Sequence, residues 1–156
     1  MKLSSDELWQ YSLKHYSQVE SILLPLQDQY QLNINLLLLC GYAQSHGCAI
    51  DEFQLMDLIK QTDNWNSKLT SPFRQLRREL KSKLDQEQYQ QMLAMELALE
   101  KEEQWRLINS LPELPGNNPE AQANILSCLI GAGVALESLD EVSLATLFSI
   151  GRGQCG

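Results

Sequence analysis

An all-α fold is predicted by three observations: composition, recurring helix-start signals and apolar residues spaced for one helical face. Twenty-nine leucines and 16 glutamines stand against only 3 valines and 3 threonines, so helix formers dominate and strand formers are scarce. Ser4-x-x-Glu7, Asp51-x-x-Gln54 and Asp85-x-x-Gln88 each read as a capping box. Their apolar neighbours Leu3 and Leu8, Ile50 and Leu55, and Leu84 and Tyr89 are placed to close a staple around the helix start. With 156 residues, 44% of them hydrophobic and 21% charged, the chain predicts one all-α domain: a single bundle of seven or eight helices with a C-terminal helical hairpin.

Taken in order, these signals place helices near 5–16, 18–30, 33–46, 51–61, 64–83, 86–111, 119–137 and 140–150. The second carries Val19, Ile22, Leu23, Leu26 and Tyr30 as one apolar stripe, with Pro25 off the stripe and expected to bend the helix. The third, from Ile34 to Ala43, is apolar nearly all round and reads as the central post. Gly41 inside it is expected to admit another backbone, and His46 with Gly47 to end it. Pro112 to Asn118 reads as a linker, dividing a bundle body at 1–111 from a hairpin at 119–150 and a tail at 151–156. Asn118-Pro119 and Asp140 supply the starts of the last two helices. Ser127, Gly131 and Ala135 give the first of these a narrow face for close packing.

Twelve basic against 20 acidic residues give a net charge of −8 and a pI near 4.7, a balance that repels phosphate backbones and anionic lipid. No nucleic-acid and no membrane partner is expected. The start of the chain lacks an apolar run behind a basic segment, so no secretory signal is read, and the expected location is the cytoplasm. Cys40, Cys48, Cys128 and Cys155 show no C-x-x-C spacing and are read as reduced thiols, Cys40 and Cys128 within the core and Cys155 exposed in the tail. His15 and His46 lie at no metal-ligand spacing from a cysteine or carboxylate. Neither a metal nor a cofactor is expected, and no catalytic residue is nominated.

The charge is segregated. Six of the 12 basic residues fall between 68 and 83, where Glu79 alone is acidic, so this stretch carries +5. Arg74, Arg77, Arg78 and Lys81, at i, i+3, i+4 and i+7, share one helical face beside an apolar stripe of Phe73, Leu76, Leu80 and Leu84. Glu96, Glu100 and Glu103 make a single-face acidic row on the next helix. The basic face is therefore either neutralised internally by that row or held for an external anion or acidic partner. Asp28, Asn33 and Asn35 cluster at the turn between the second and third helices, where Asn33 can cap the incoming helix and all three can form the polar end of a pocket.

Three stretches also resemble a known family: Leu8-Trp-Gln-Tyr-Ser-Leu-Lys-His-Tyr16, the run from Leu26 to Cys40, and Ser71-Pro-Phe-Arg-Gln-Leu-Arg-Arg-Glu-Leu-Lys81. They are similar to the three signature stretches of small proteobacterial proteins of unknown function. The resemblance covers the chain to about residue 85, and the remainder carries no matching signature. Pro25 and Gln31 depart from the pattern, which lacks that proline and often has glycine in the turn. The resemblance implies a helical, cytoplasmic, bacterial protein and carries no catalytic residue.

The function read from the sequence is a non-catalytic interaction or regulatory module, whose partner is another protein or a second copy of the chain. The alternative is a small-molecule binder or enzyme that takes an anionic ligand in a pocket lined by Asp28, Asn33, Arg74, Arg77 and Arg78. A flat basic face selects the first; a deep cavity bordered by two or more of these arginines selects the second.

Overall fold

The computed structural model describes residues 1–153, and every regular element among them is helical. Helix α1 runs unbroken from Ser5 to Gln29, where the sequence predicts two helices meeting near residue 17. Leu8, Ser12, Val19, Leu23 and Leu26 bury one continuous stripe along it, and no glycine or proline interrupts the ladder between Tyr16 and Gln18. Pro25 lies on the exposed side of its last turns. Only half of the first capping box forms. Ser4 Oγ accepts from the Glu7 amide, but the Glu7 carboxylate turns instead to the Tyr42 hydroxyl at 2.7 Å.

Asn33 caps α2 (Ile34–Ser45), whose nine residues from Leu36 to Gln44 are all buried, as expected of a helix with no polar face. At Gly41 the close neighbour is a side chain, not the backbone expected there: an added Cβ would stand 2.5 Å from Tyr11 Oη, which donates to the Ile150 carbonyl. Gly47, at φ +68°, ends the helix in the left-handed conformation that glycine adopts without strain.

Helix α3 (Glu52–Trp65), begun by a full capping box at Asp51, does not stop at residue 61. It passes through a wide π turn, Asn66–Thr70, directly into α4 (Ser71–Leu80). Pro72 is the physical reason, since it offers no N–H to the Lys68 carbonyl and its ring crowds that group. In the π turn the Ser71 amide reaches back to Asn66 O instead, and Thr70 Oγ1 donates to Asn66 Oδ1 at 2.8 Å. The apolar stripe expected on α4 buries none of its residues: Leu76 is exposed, and Phe73 and Leu80 are only half-buried. Helix α5 (Gln86–Ser110), begun by a second capping box at Asp85, packs against α1, α2, α3 and α4.

The expected C-terminal hairpin is a correction. Pro119–Ala123 is a 3₁₀ turn, α6 is only Asn124–Gly131, Leu136–Ser138 is another 3₁₀ turn, and α7 spans Glu141–Ser149. The helix expected over 119–137 stops at Gly131 because Gly133, at φ +81°, reverses the chain, and Ala135 falls outside the face it was expected to share. Helix α6 docks on α2 and α7 on α1. Polar side chains fasten this docking: Gln44 Oε1 accepts from the Ile125 amide, and Asn124 bridges the Ile50 amide and the Cys48 carbonyl. Segment 112–118 is tied as well, since the Leu114 backbone exchanges hydrogen bonds with both the amino group and the carbonyl of Met1. Cys40 and Cys128 are both buried in the α2–α6 core, and the neighbouring Cys128 thiol, together with burial, pushes the Cys40 thiol up. Cys155 lies outside the described residues.

Candidate functional site

A cleft of about 1090 Å³ opens between α1, the α1–α2 turn, the π turn with α4, and α5. Asp28, Asn33, Asn35, Arg74, Arg77 and Arg78 all line it; Lys81 does not. The α1–α2 turn and α4 are far apart in sequence, and α5 brings them together by presenting Glu96, Glu100 and Glu103 along one face between them.

The α4 wall is built on Glu96, which is 9% exposed. Its Oε1 accepts from Arg74 Nε at 3.0 Å and its Oε2 from Arg77 Nε, while Arg77 Nη1 donates to Tyr89 Oη at 2.9 Å. Burial alone would push the Glu96 carboxyl up, but the hydrogen bonds and charges of Arg77 and Arg74 outweigh it and hold the group below the usual carboxylate range. Two cations thus share one anion. Arg78, exposed at the rim, makes no ion pair among the described residues, and Arg74 Nη2 reaches Glu100 only at 4.0 Å. Lys81 lies 6.0 Å from the centroid of the Tyr89 ring, outside the cleft. Neutralisation by the acidic row is therefore partial, falling mainly on Glu96.

The floor differs in character. Glu103, 4% exposed, forms no ion pair among the described residues. Its carboxylate accepts from Asn35 Nδ2 at 2.7 Å and from Asn33 Nδ2 at 3.4 Å. Burial pushes Glu103 up despite these hydrogen bonds, and the neighbouring Glu100 adds to the shift. Burial likewise pushes Glu100 up, against the pull of Arg74. Asn33 serves both roles read from the sequence, because its Oδ1 caps α2 at the Leu36 amide while its Nδ2 faces Glu103. Asp28 is exposed at the mouth.

Two floor residues were not singled out by sequence. Gln104, 1% exposed, donates from Nε2 to Ser12 Oγ at 2.9 Å and to Asn35 Oδ1 at 3.1 Å. Ser12 carries a legible signal, a hydroxyl set within the apolar stripe of α1. Gln104 carries none, being one of 16 glutamines. His15 stands apart from the cleft, its ring 4.4 Å from that of Tyr11, and burial lowers its pKa.

Fold and site together define an all-helical protein with a charged interhelical cleft and, among its described residues, no helix long and apolar enough to cross a membrane. Residues 7–107 match the family described as "Protein of unknown function (DUF2390)", and the chain belongs to that family. The matched span runs well past residue 85, where the signatures read from the sequence end, and takes in the acidic row of α5. No curated protein and no solved structure matches the chain.

Proposed function

We propose that this protein is a cytoplasmic, non-catalytic ligand-binding module, and that its cleft takes a small polar molecule through an anionic group. The observation that carries the reading is the shape of the basic face. Arg74, Arg77 and Arg78 form one wall of a concave cleft, not the flat face that an interaction module would present. Arg74 and Arg77 share the one buried carboxylate of this wall, Glu96, and Arg78 pairs with none among the described residues, so the wall keeps a net positive charge and a guanidinium, Arg78, with donors to spare. The polar turn at Asn33 and Asn35 lines the opposite side.

Inorganic phosphate and citrate, titrated at low ionic strength, are expected to raise the melting temperature of the parent protein and to do so less for Arg78→Gln. Native mass spectrometry of protein purified from its own host is expected to show a bound small molecule. No thermal shift with either anion, together with a ligand-free mass, overturns the reading.

A further inference from the structure

The floor of the cleft is short of donors. Glu103 is almost fully buried, yet no Lys, Arg or His forms an ion pair with it among the described residues; two neutral asparagine amides are its only partners. A carboxylate offers about four acceptor sites, so two amides leave it under-satisfied. Beside it, Gln104 Oε1 is buried without any partner. The network fixes which atom that is. Ser12 gives its own proton to the Leu8 carbonyl and can only accept from Gln104, while Asn35 Oδ1 is also an acceptor, so the Gln104 amide nitrogen must serve both and its oxygen is left over. A charge without a counter-charge and a carbonyl without a donor, side by side and lining one cleft, describe the complement of a cationic multiple donor.

We infer that the ligand of this cleft carries a primary ammonium group that seats on Glu103 and Gln104, at the far end from an anionic group held by Arg78 and Arg74. The inference rests on the reading of the cleft as a ligand site and names the ligand's second end. An ammonium supplies three donors and one positive charge, the two things the floor lacks. Its separation from the anion follows from α5. Glu96, beside the arginines, and Glu103 are seven residues apart on one helical face, which at 1.5 Å per residue sets the two ends roughly 10 Å apart. That span excludes a simple α-amino acid and fits an extended zwitterion.

The probe is 8-aminooctanoate, whose extended chain sets its ammonium and carboxylate at a comparable distance, with octanoate and N-acetyl-8-aminooctanoate as partners lacking the charge at that end. Calorimetric titration of the parent protein is expected to show the amine binding at least tenfold more tightly than either partner, and the advantage to vanish in Glu103→Gln while octanoate binding stays unchanged. Arg78→Gln is expected to weaken all three alike. Equal affinity for 8-aminooctanoate and octanoate, or an amine advantage that survives Glu103→Gln, overturns the ammonium site and leaves the cleft reading standing. Binding of none of the three overturns both.

Discussion

Replacing Glu96 by glutamine keeps the side-chain shape and removes the charge that two arginines share. Arg74 Nε and Arg77 Nε then face an amide, one atom of which is itself a donor, while two guanidinium groups remain one turn apart on α4. Breaking a fully buried ion pair costs about 3–5 kcal/mol, and a hydrogen bond to a charged group contributes about 1.5–3 kcal/mol. The arginine side chains here keep 24% and 16% of their exposure, so solvent screening brings the expected loss to about 2 kcal/mol. For a chain of this length that corresponds to a fall of about 4–8 °C in Tm. Because α4 buries none of its residues, the loss should appear first as faster amide exchange along α4. Urea denaturation of Glu96→Gln, Arg77→Gln and the double variant should give a coupling of about 1 kcal/mol or more. The pH dependence has a definite sign. Since Glu96 is held below its unfolded value, its contribution is complete above the ordinary carboxyl range and disappears as pH falls through the depressed folded value. Additive single effects, or a Glu96→Gln protein within about 0.5 kcal/mol of the parent, would refute the idea that charge, rather than apolar packing, holds this wall in place.

Glu103→Gln should stabilise the unliganded protein at neutral pH. Burial raises this carboxyl in the fold, so its ionisation opposes folding, and in thermal melts the benefit of the variant should be full above the raised value, fade as pH falls through it and be gone at the unfolded carboxyl pKa; a variant less stable than the parent at pH 7 would contradict this. Leu37→Ala, at the fully buried centre of α2, should cost about 2–5 kcal/mol by chemical denaturation, and a loss under about 1 kcal/mol would show that α2 is not the core post. Gly41→Ala should cost about 1–3 kcal/mol, because the new methyl meets Tyr11 Oη and Ile150 together; denaturation midpoints equal to the parent's would refute that crowding.

Helix α2 was legible because Leu36 to Cys40 offer no polar face to solvent, and the capping boxes at Asp51 and Asp85 because each is complete within four residues. The break expected near residue 17 had no physical basis: Tyr16-Ser17-Gln18 contains no helix breaker, and the buried stripe crosses it in phase. Pro25 and Pro72 were harder to read, because proline removes one hydrogen bond but does not say how the chain accommodates the loss; at Pro72 the answer is a π turn. Of the candidate site, the arginines and Glu96 were legible from helical spacing and opposite charge. The partition within the acidic row was not. Glu103 turns to Asn33 and Asn35 instead of to arginine because α2 begins against that end of α5, a tertiary fact that no local pattern encodes. Gln104 was invisible for the same reason.

The π turn at Asn66–Thr70 is where the chain holds one residue more than an ordinary helix needs. An extra residue in an unbroken α-helix would carry everything after it round by about 100°, whereas the wide turn absorbs it, so α4 still presents Arg74 and Arg77 to Glu96 on α5. Removing one residue from 66–70 should therefore relax the turn to ordinary helix and keep Arg74 and Arg77 on Glu96, whereas adding a residue there should carry them off it and leave that buried carboxylate unpaired. Shortening and lengthening this stretch by one residue are thus not equivalent, although Ser67, Lys68 and Leu69 within it are exposed and none of its residues belongs to the hydrophobic core.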